Sequence, residues 1–188
     1  MGASATILNN EIYGGNHSVF IDFNSKGKIK NNRFLDIEGV GISLQKNSCA
    51  EVEGNELRSV YIGFYVNEEC KISVRNNKID GGKYKHACIG LSILSGTELI
   101  FEDNIINDTL IGLNLLSGAT AKINNNIFKG NLKHITALPG VNISKGHNEF
   151  SSGEINDLSE LTRKVYELSI KSVNTPFFDE LINFLKRG

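Results

Sequence analysis

Proline and tryptophan are nearly missing from this chain. Its 188 residues hold two prolines, Pro139 and Pro176, and no tryptophan, against 19 glycines. That balance suits short strands joined by turns with positive φ. Neither sign of charge dominates: 20 Lys and Arg against 21 Asp and Glu leave a net charge of −1. The basic excess that a nucleic-acid or anionic-membrane surface requires is therefore missing. No stretch reads as a signal peptide or a membrane span, so the compartment stays unassigned. The cysteines Cys49, Cys70 and Cys88 form no CxxC and no metal-ligand spacing. They read as lone buried thiols acting as small hydrophobes, with Cys49 and Cys70 placed so that a disulfide is open but not favoured. There is no Gly-x-Ser-x-Gly elbow and no phosphate loop, and no cofactor is expected.

What the chain does have is an internal repeat. Anchoring asparagines stand at Asn10, Asn32, Asn55, Asn77, Asn104, Asn126 and Asn148, with spacings of 22, 23, 22, 27, 22 and 22 by subtraction. Two residues after each comes Ile12, Phe34, Leu57, Ile79, Ile106, Phe128 or Phe150. Three before come Ile7, Ile29, Val52, Val74, Phe101 and Ile123, with Lys145 breaking the column. A second alternating segment follows a glycine: Gly41-Ile42-x-Leu44, Gly63-Phe64-x-Val66, Gly90-Leu91-x-Ile93 and Gly112-Leu113-x-Leu115. Phe20-Ile21-Asp22-Phe23 and Ile135-Thr136-Ala137 are looser copies. Each unit reads as short strands of period two, separated by Gly, Asn, Asp and Ser turns. One unit cannot bury its apolar face; stacked copies bury a continuous core.

These Asn-x-apolar anchors and Gly-apolar-x-apolar segments resemble the right-handed parallel β-helix repeat proteins of the pectate-lyase-like superfamily. The resemblance implies an all-β solenoid, a single-stranded parallel β-helix of about seven rungs over residues 5–153. At about 4.8 Å per rung it stands roughly 34 Å tall. A leucine-rich horseshoe is the rival, because Val52-x-x-Asn55-x-Leu57 mimics the end of that repeat. The horseshoe needs leucine-like residues eight positions before the asparagine, and here those are Asn24, Asn47, Glu69, Gly96 and Gly118.

Residues 154–188 lose the repeat and read as a C-terminal helical cap. Asn156 or Asp157 can cap a helix with apolar positions Leu158, Leu161, Val165 and Leu168. Thr175-Pro176 then opens a second helix with Phe177, Phe178, Leu181, Ile182, Phe184 and Leu185 on a wide apolar face. Leu94, Leu116 and Leu138 recur where earlier rungs carry Asn24, Gln45 and Asn67, and would make an outward apolar stripe that something must cover. The helices are expected to lie along that stripe or cap the last rung. At the other end, Met1-Gly2-Ala3-Ser4 is too short to cover the open edge of the first rung. The native chain is expected to extend further, or that end to meet a partner or a second copy. A homo-oligomer is accordingly expected through the open N-terminal end or the C-terminal helices.

Outward positions carry a charge ladder. Two before the anchors stand Lys30, Glu53, Arg75 and Glu102; one after them stand Glu11, Arg33, Glu56 and Lys78. The signs alternate from rung to rung, which reads as register-setting surface pairs worth a few tenths of a kcal/mol each. The fourth rung has five extra residues, within Asp80-Gly81-Gly82-Lys83-Tyr84-Lys85-His86. Insertions in repeat arrays become loops on one face, often the binding face. Lys83, Tyr84, Lys85 and His86, together with Tyr65, are therefore the candidate ligand-binding residues, with Tyr61 a further stacking platform.

Enzymes on the resembled scaffold place paired acids, or acids with Lys or Arg, on one outward face. The row to inspect here reads Asp22, Ser43, Tyr65, Ser92, Asn114 and Thr136, with a single carboxylate, whereas glycoside hydrolysis needs two. There is no Asp-Asp pair and no Gly-His-Gly, Arg-x-Lys or Asp-Pro-His segment; Gly146-His147-Asn148 only half-matches the second. His17, His86 and His134 are rungs apart, too far to share a metal. The favoured reading is a non-catalytic recognition or scaffold module that binds a glycan or a protein, such as a bacterial toxin or assembly component, through an outer face. The alternative is a polysaccharide-active lyase, hydrolase or epimerase, or a truncated remnant of one.

Overall fold

A computed structural model describes residues 2–85 and 88–151. Every described strand pairs in parallel, and the strands form three stacked sheets. Sheet A holds seven five- or four-residue strands, from Ser4–Leu8 to Asn142–Lys145; sheet B holds seven three-residue strands, from Glu11–Tyr13 to Glu149–Ser151; sheet C holds six, from His17–Ile21 to Lys133–Ala137. The chain visits A, B and C in turn, so neighbours in a sheet are one repeat apart.

Register is constant through sheets A and B. Ile7, Ile29, Val52, Val74, Phe101, Ile123 and Lys145 sit one above another. So do Ile12, Phe34, Leu57, Ile79, Ile106, Phe128 and Phe150. These columns meet the sheet-C residues in one core, with Phe34, Phe64, Phe101 and Phe128 fully buried. Lys145 breaks its column at the last rung, where it is exposed.

The anchoring asparagines explain how a two-residue turn joins A to B. The preceding residue takes positive φ at Asn9, Asn31, Gly54, Asn76, Asp103 and Asn125, a conformation that Gly, Asn and Asp tolerate best. Each anchor then accepts, at its Oδ1, both the backbone N–H and the side-chain Nδ2 of the anchor one rung earlier. The bonds run from Asn10 to Asn148 at 2.9–3.1 Å. Its Nδ2 also donates to the carbonyl two residues back and to one on the earlier rung, as Asn104 does to Glu102 and Val74, both at 2.9 Å. Asn32, Asn55, Asn77, Asn104 and Asn126 are 0–2% exposed, so this polar column runs inside the coil with its bonds met.

The glycines of sheet C lie against the core. A Cβ on Gly63 would lie 2.3 Å from the Gly90 carbonyl oxygen and 3.6 Å from Ile79. The glycine therefore faces inward, where only a hydrogen fits.

Two details depart from the sequence reading. Phe20, not Asp22, pairs with Ser43, so the row Ser43, Tyr65, Ser92, Asn114, Thr136 begins with a ring and loses its one carboxylate. Both His17-x-Val19-x-Ile21 and Ile21-x-Phe23 alternate, and pairing selects the former; Phe23 is 56% exposed. For the same reason the first-rung neighbour of Gln45 is Asp22, not Asn24. The expected C-terminal helices lie outside the described residues.

Candidate functional site

The extra residues of rung four leave the coil after the sheet-B strand Lys78–Asp80 and return before the sheet-C strand Ile89–Ile93. They form a one-turn 3-10 segment, Gly82–Tyr84, seated on the corner between sheets B and C. Asp80 Oδ1 accepts the Gly82 N–H at 2.9 Å, closing the loop on itself. The Lys83 N–H donates to Ser59 Oγ at 3.0 Å, and the Gly81 N–H to the Asn107 carbonyl at 3.0 Å. A Cβ on Gly81 would lie 2.2 Å from the Asp108 carbonyl oxygen, and one on Gly82 2.2 Å from Ser59 Oγ. These glycines let the loop touch the coil.

The loop's cations hold it down. Lys83 Nζ lies 3.2 Å from Asp36 Oδ1 and Lys85 Nζ 3.0 Å from Asp108 Oδ1. Asp36, Ser59 and Asp108 each stand four residues after an anchor and take positive φ, so one turn position supplies all three contacts. Hydrogen bonding to Lys83 comes first in holding the Asp36 carboxyl below its ordinary range, with the Tyr13 and Ser59 hydroxyls adding to it. For Lys83, burial opposes the charge, but Asp36 and then Tyr84 outweigh it and its pKa is raised. Tyr84 sets its ring edge-on against Tyr61, centroids 5.7 Å apart, and Lys83 Nζ stands 5.1 Å from the Tyr84 ring centre. Tyr13 is 73% exposed. The result is a ridge on the B–C corner: Tyr13, Asp36, Ser59, Tyr61, Lys83 and Tyr84.

Of the residues singled out from sequence, the structure brings Lys83, Tyr84 and Lys85 together with Tyr61. His86 lies outside the described residues. Tyr65 belongs elsewhere: it is half-buried in the outward row of sheet C, four residues or about 13 Å along the strand from Tyr61. Asp36, Ser59 and Tyr13 were missed. The recurrence of Asp or Ser four residues after the anchors was the signal available for the first two.

The charge ladder is real. Lys30 and Glu53 lie 2.8 Å apart, Arg75 and Glu102 3.1 Å, Lys122 and Glu102 2.7 Å, Lys71 and Glu98 2.8 Å. Arg33 bridges Glu11 and Glu56. Glu53 and Glu102 are held below the ordinary carboxylate range by hydrogen bonds from Lys30 and Lys122 first. Lys30 is held above the ordinary ammonium range by Glu53. These are matched pairs on the outer faces of sheets A and B.

His134 faces inward, packing against Phe128 and Phe150 at centroid distances of 6.0 and 5.5 Å, and its Nδ1 lies 3.3 Å from Asn131 Nδ2. It belongs to the end of the core. Among the described residues no three His, Cys, Asp or Glu side chains converge on a metal position. Cys49, Cys70 and Cys88 are free thiols; burial pushes Cys70 up to about 11 and Cys88 up to about 12.

Against known families, the description "right handed beta helix region" matches residues 1–152. The chain belongs to the right-handed β-helix family. No curated protein matches it. Among solved structures this β-helix is similar to an alginate lyase from Paenibacillus sp. str. FPU-7, at 13% identity over 83% of this chain and 87% of the lyase, with a TM-score of 0.39. So slight a likeness transfers no activity, and the β-helix scaffold itself hosts many.

Proposed function

We propose that this β-helix is a non-catalytic recognition module that binds a glycan on the ridge of Tyr13, Asp36, Lys83 and Tyr84. One observation carries the reading: at this ridge an exposed ring and a half-buried ring stand beside a carboxylate that can accept from hydroxyls and an ammonium that can donate to them. Sugar rings offer apolar faces edged by hydroxyls, so a ring to stack on and charged hydrogen-bonding partners beside it are the groups such a ligand needs. The ridge is rigid before binding, because Asp36, Ser59 and Asp108 pin the insertion to the coil, and little ordering entropy is lost on binding.

The test is a glycan array followed by calorimetry on each hit with wild type, Tyr13→Ala and Tyr84→Ala. A stacked ring contributes about 0.5–1.5 kcal/mol, so each substitution should weaken binding by roughly 2- to 12-fold. Retention of a glycan with undiminished affinity by both variants refutes the ridge. Failure to retain any glycan, with a protein partner captured through the same residues, moves the ligand to the protein class.

A second reading rests on Asp80 and Asp108. Asp80 pairs with Asn107, so Asp80 and Asp108 stand on adjacent rungs, and glycoside hydrolysis calls for two carboxylates. Each is already engaged, Asp80 by the Gly82 N–H and Asp108 by Lys85. A hydrolase acid also needs a raised pKa, whereas the ridge carboxyl of Asp36 is lowered. New reducing or unsaturated ends released from polysaccharides by wild type, and abolished in Asp80→Asn or Asp108→Asn, would establish the enzyme instead.

A further inference from the structure

The outer face of sheet A is open to water. Buried and outward residues alternate along its strands, and the outward ones are exposed or half-buried from rung two to rung six. Among the described residues the one element outside the three sheets is the Gly82–Tyr84 turn, which sits on the B–C corner. The outward charges of sheet A are sorted by rung. Rung two carries Lys26, Lys28 and Lys30, and rung three Glu51 and Glu53. Rung four carries Lys71 and Arg75, and rung five Glu98 and Glu102. Pairing inside the coil asks only that signs alternate down each column. It does not ask the columns to share one phase, and sharing it sets like charges about 6.6 Å apart along a rung. The pairing also leaves a remainder. Lys28 and Lys30 reach Glu51 and Glu53, while Lys26 has no ion pair among the described residues.

We propose that this face is a homodimer interface, in which two copies meet about a two-fold axis that runs along the strands between rungs three and four. A sign order of plus, minus, plus, minus becomes its own complement when reversed. The axis turns the coil end for end and keeps the strand direction, so rung two faces rung five of the second copy and rung three faces rung four. Equivalent strand positions then meet: Lys26 with Glu98, Lys30 with Glu102 and Glu53 with Arg75, each twice. Cys49 meets Lys71, Glu51 meets Ser73 and Lys28 meets Ile100, so no like charges are set together. Lys26 finds the carboxylate that its own chain does not give it. Lys30 and Glu53 close a ring of four alternating charges with Arg75 and Glu102 of the second copy. Two sides of that ring already stand within each chain, at 2.8 and 3.1 Å, and networks are where surface ion pairs contribute. The other aligned two-fold, along the coil axis, would set Lys26 on Lys30, Lys71 on Arg75 and Glu98 on Glu102, and repulsion excludes it. Rungs one to six and five residues per strand give a footprint of about 16 by 24 Å. That is roughly half of what each partner of a standard interface buries. The dimer is therefore weak, forms at high concentration and is dissolved by salt. The inference is independent of the glycan reading, because the ridge lies on the B–C corner, which sheet A does not share.

The test is analytical ultracentrifugation of the full chain up to about 1 mM, in about 20 mM and about 500 mM salt. Lys26→Glu and Glu98→Lys each put two like pairs into their own homodimer, whereas a mixed dimer of the two variants has both opposite pairs again. Lys78→Glu makes the same charge change on the outer face of sheet B and is the control. Circular dichroism melting checks that each variant folds. Should Glu98→Lys fail to fold, having lost its 2.8 Å pair with Lys71, Lys26→Glu decides alone. The inference expects wild type and Lys78→Glu to dimerise in low salt and separate in high salt. Each reversal should weaken dimerisation about tenfold or more, and the equimolar mixture should regain the wild-type affinity. A wild type that stays monomeric at the highest concentration in low salt overturns the inference. So does a dimer that Lys26→Glu leaves intact, which would place the contact on another surface, and so does a mixture that associates no more tightly than its components.

Discussion

Replacing Asn104 by alanine removes five side-chain hydrogen bonds from the middle of the asparagine column. Its Oδ1 no longer accepts the Asn77 N–H and Nδ2, and its Nδ2 no longer donates to Val74, Glu102 and Asn126. Most partners keep another bond. Asn77 Nδ2 retains the Val52 and Arg75 carbonyls, and Asn126 Oδ1 retains the Asn104 N–H. The loss falls on the Asn77 N–H, which has no second acceptor there, and on the Val74 carbonyl; both sit beside residues that exclude water. An orphaned buried N–H costs about 1–3 kcal/mol and an under-satisfied carbonyl rather less, so the substitution should cost about 2–4 kcal/mol. Asn10→Ala removes the same amide from the exposed first rung, where water replaces its two donations, and should cost under about 0.5 kcal/mol. Asn104→Asp should be worse than alanine at neutral pH, because a carboxylate would face two carbonyls and an amide oxygen with nothing to donate. Its pKa would rise on folding, so stability is recovered below the unfolded value of about 3.9 and lost as pH climbs through the folded one. Urea titrations followed by far-UV circular dichroism give the midpoints, and a changed slope would reveal the array splitting between rungs four and five. If Asn104→Ala lies within about 0.5 kcal/mol of Asn10→Ala, the column is not what holds the rungs in register, and the reasoning fails.

Three further outcomes follow from the same coordinates. Gly63→Ala pushes a Cβ to 2.3 Å from the Gly90 carbonyl, which neither rung can yield cheaply, and should cost about 1–3 kcal/mol by thermal melting; Gly14→Ala, with nothing within 4 Å, should cost about 1 kcal/mol for its φ of +71° alone. Glu102, 15% exposed between Lys122 and Arg75, should lose about 1 kcal/mol or less on change to Gln. Its carboxyl is lowered on folding, so that contribution is full above the ordinary 4.5 and lost as pH falls through the lower folded value; wild type and Glu102→Gln should converge in acid. Iodoacetamide at mildly alkaline pH should label one thiol, Cys49, and reach Cys70 and Cys88 only in denaturant; two fast equivalents in the native chain would contradict their burial.

The coil was readable from the asparagines because no other side chain does what they do there. The turn between sheets A and B needs an acceptor for two donors one rung earlier and donors for two carbonyls, and a primary amide supplies both from one Cγ. The residue before it must tolerate positive φ, which restricts that position to Asn, Gly and Asp in six of the rungs. Two adjacent constraints repeating at 22 residues leave little freedom for another fold. The first rung was misaligned where that constraint is absent: between sheets C and A, Val19, Ile21 and Phe23 share one phase, so the strand can be set in either of two registers two residues apart. Only pairing with Val40, Ile42 and Leu44 selects Val19 and Ile21 as inward.

The ridge was legible only in half. Five surplus residues announce a loop, and a lysine, a tyrosine and a second lysine announce chemistry. What the lysines do depends on Asp36 and Asp108, which stand 47 and 23 residues away in sequence from Lys83 and Lys85 by subtraction. Nothing local marks those carboxylates as partners. Stacking does: rungs two and five carry an aspartate at the turn, rung three a serine, and rung four sends its loop across all of them. The same logic bears on where a ligand can reach. Tyr13 and Tyr84 make none of the ion pairs that hold the loop in place, so the ring substitutions should weaken binding directly. Lys85→Ala should instead act through loosening of the loop, raising hydrogen exchange at the Gly81 amide before it changes any affinity. If Lys85→Ala abolishes binding with that amide still protected, Lys85 touches the ligand itself and the ridge extends to Asp108.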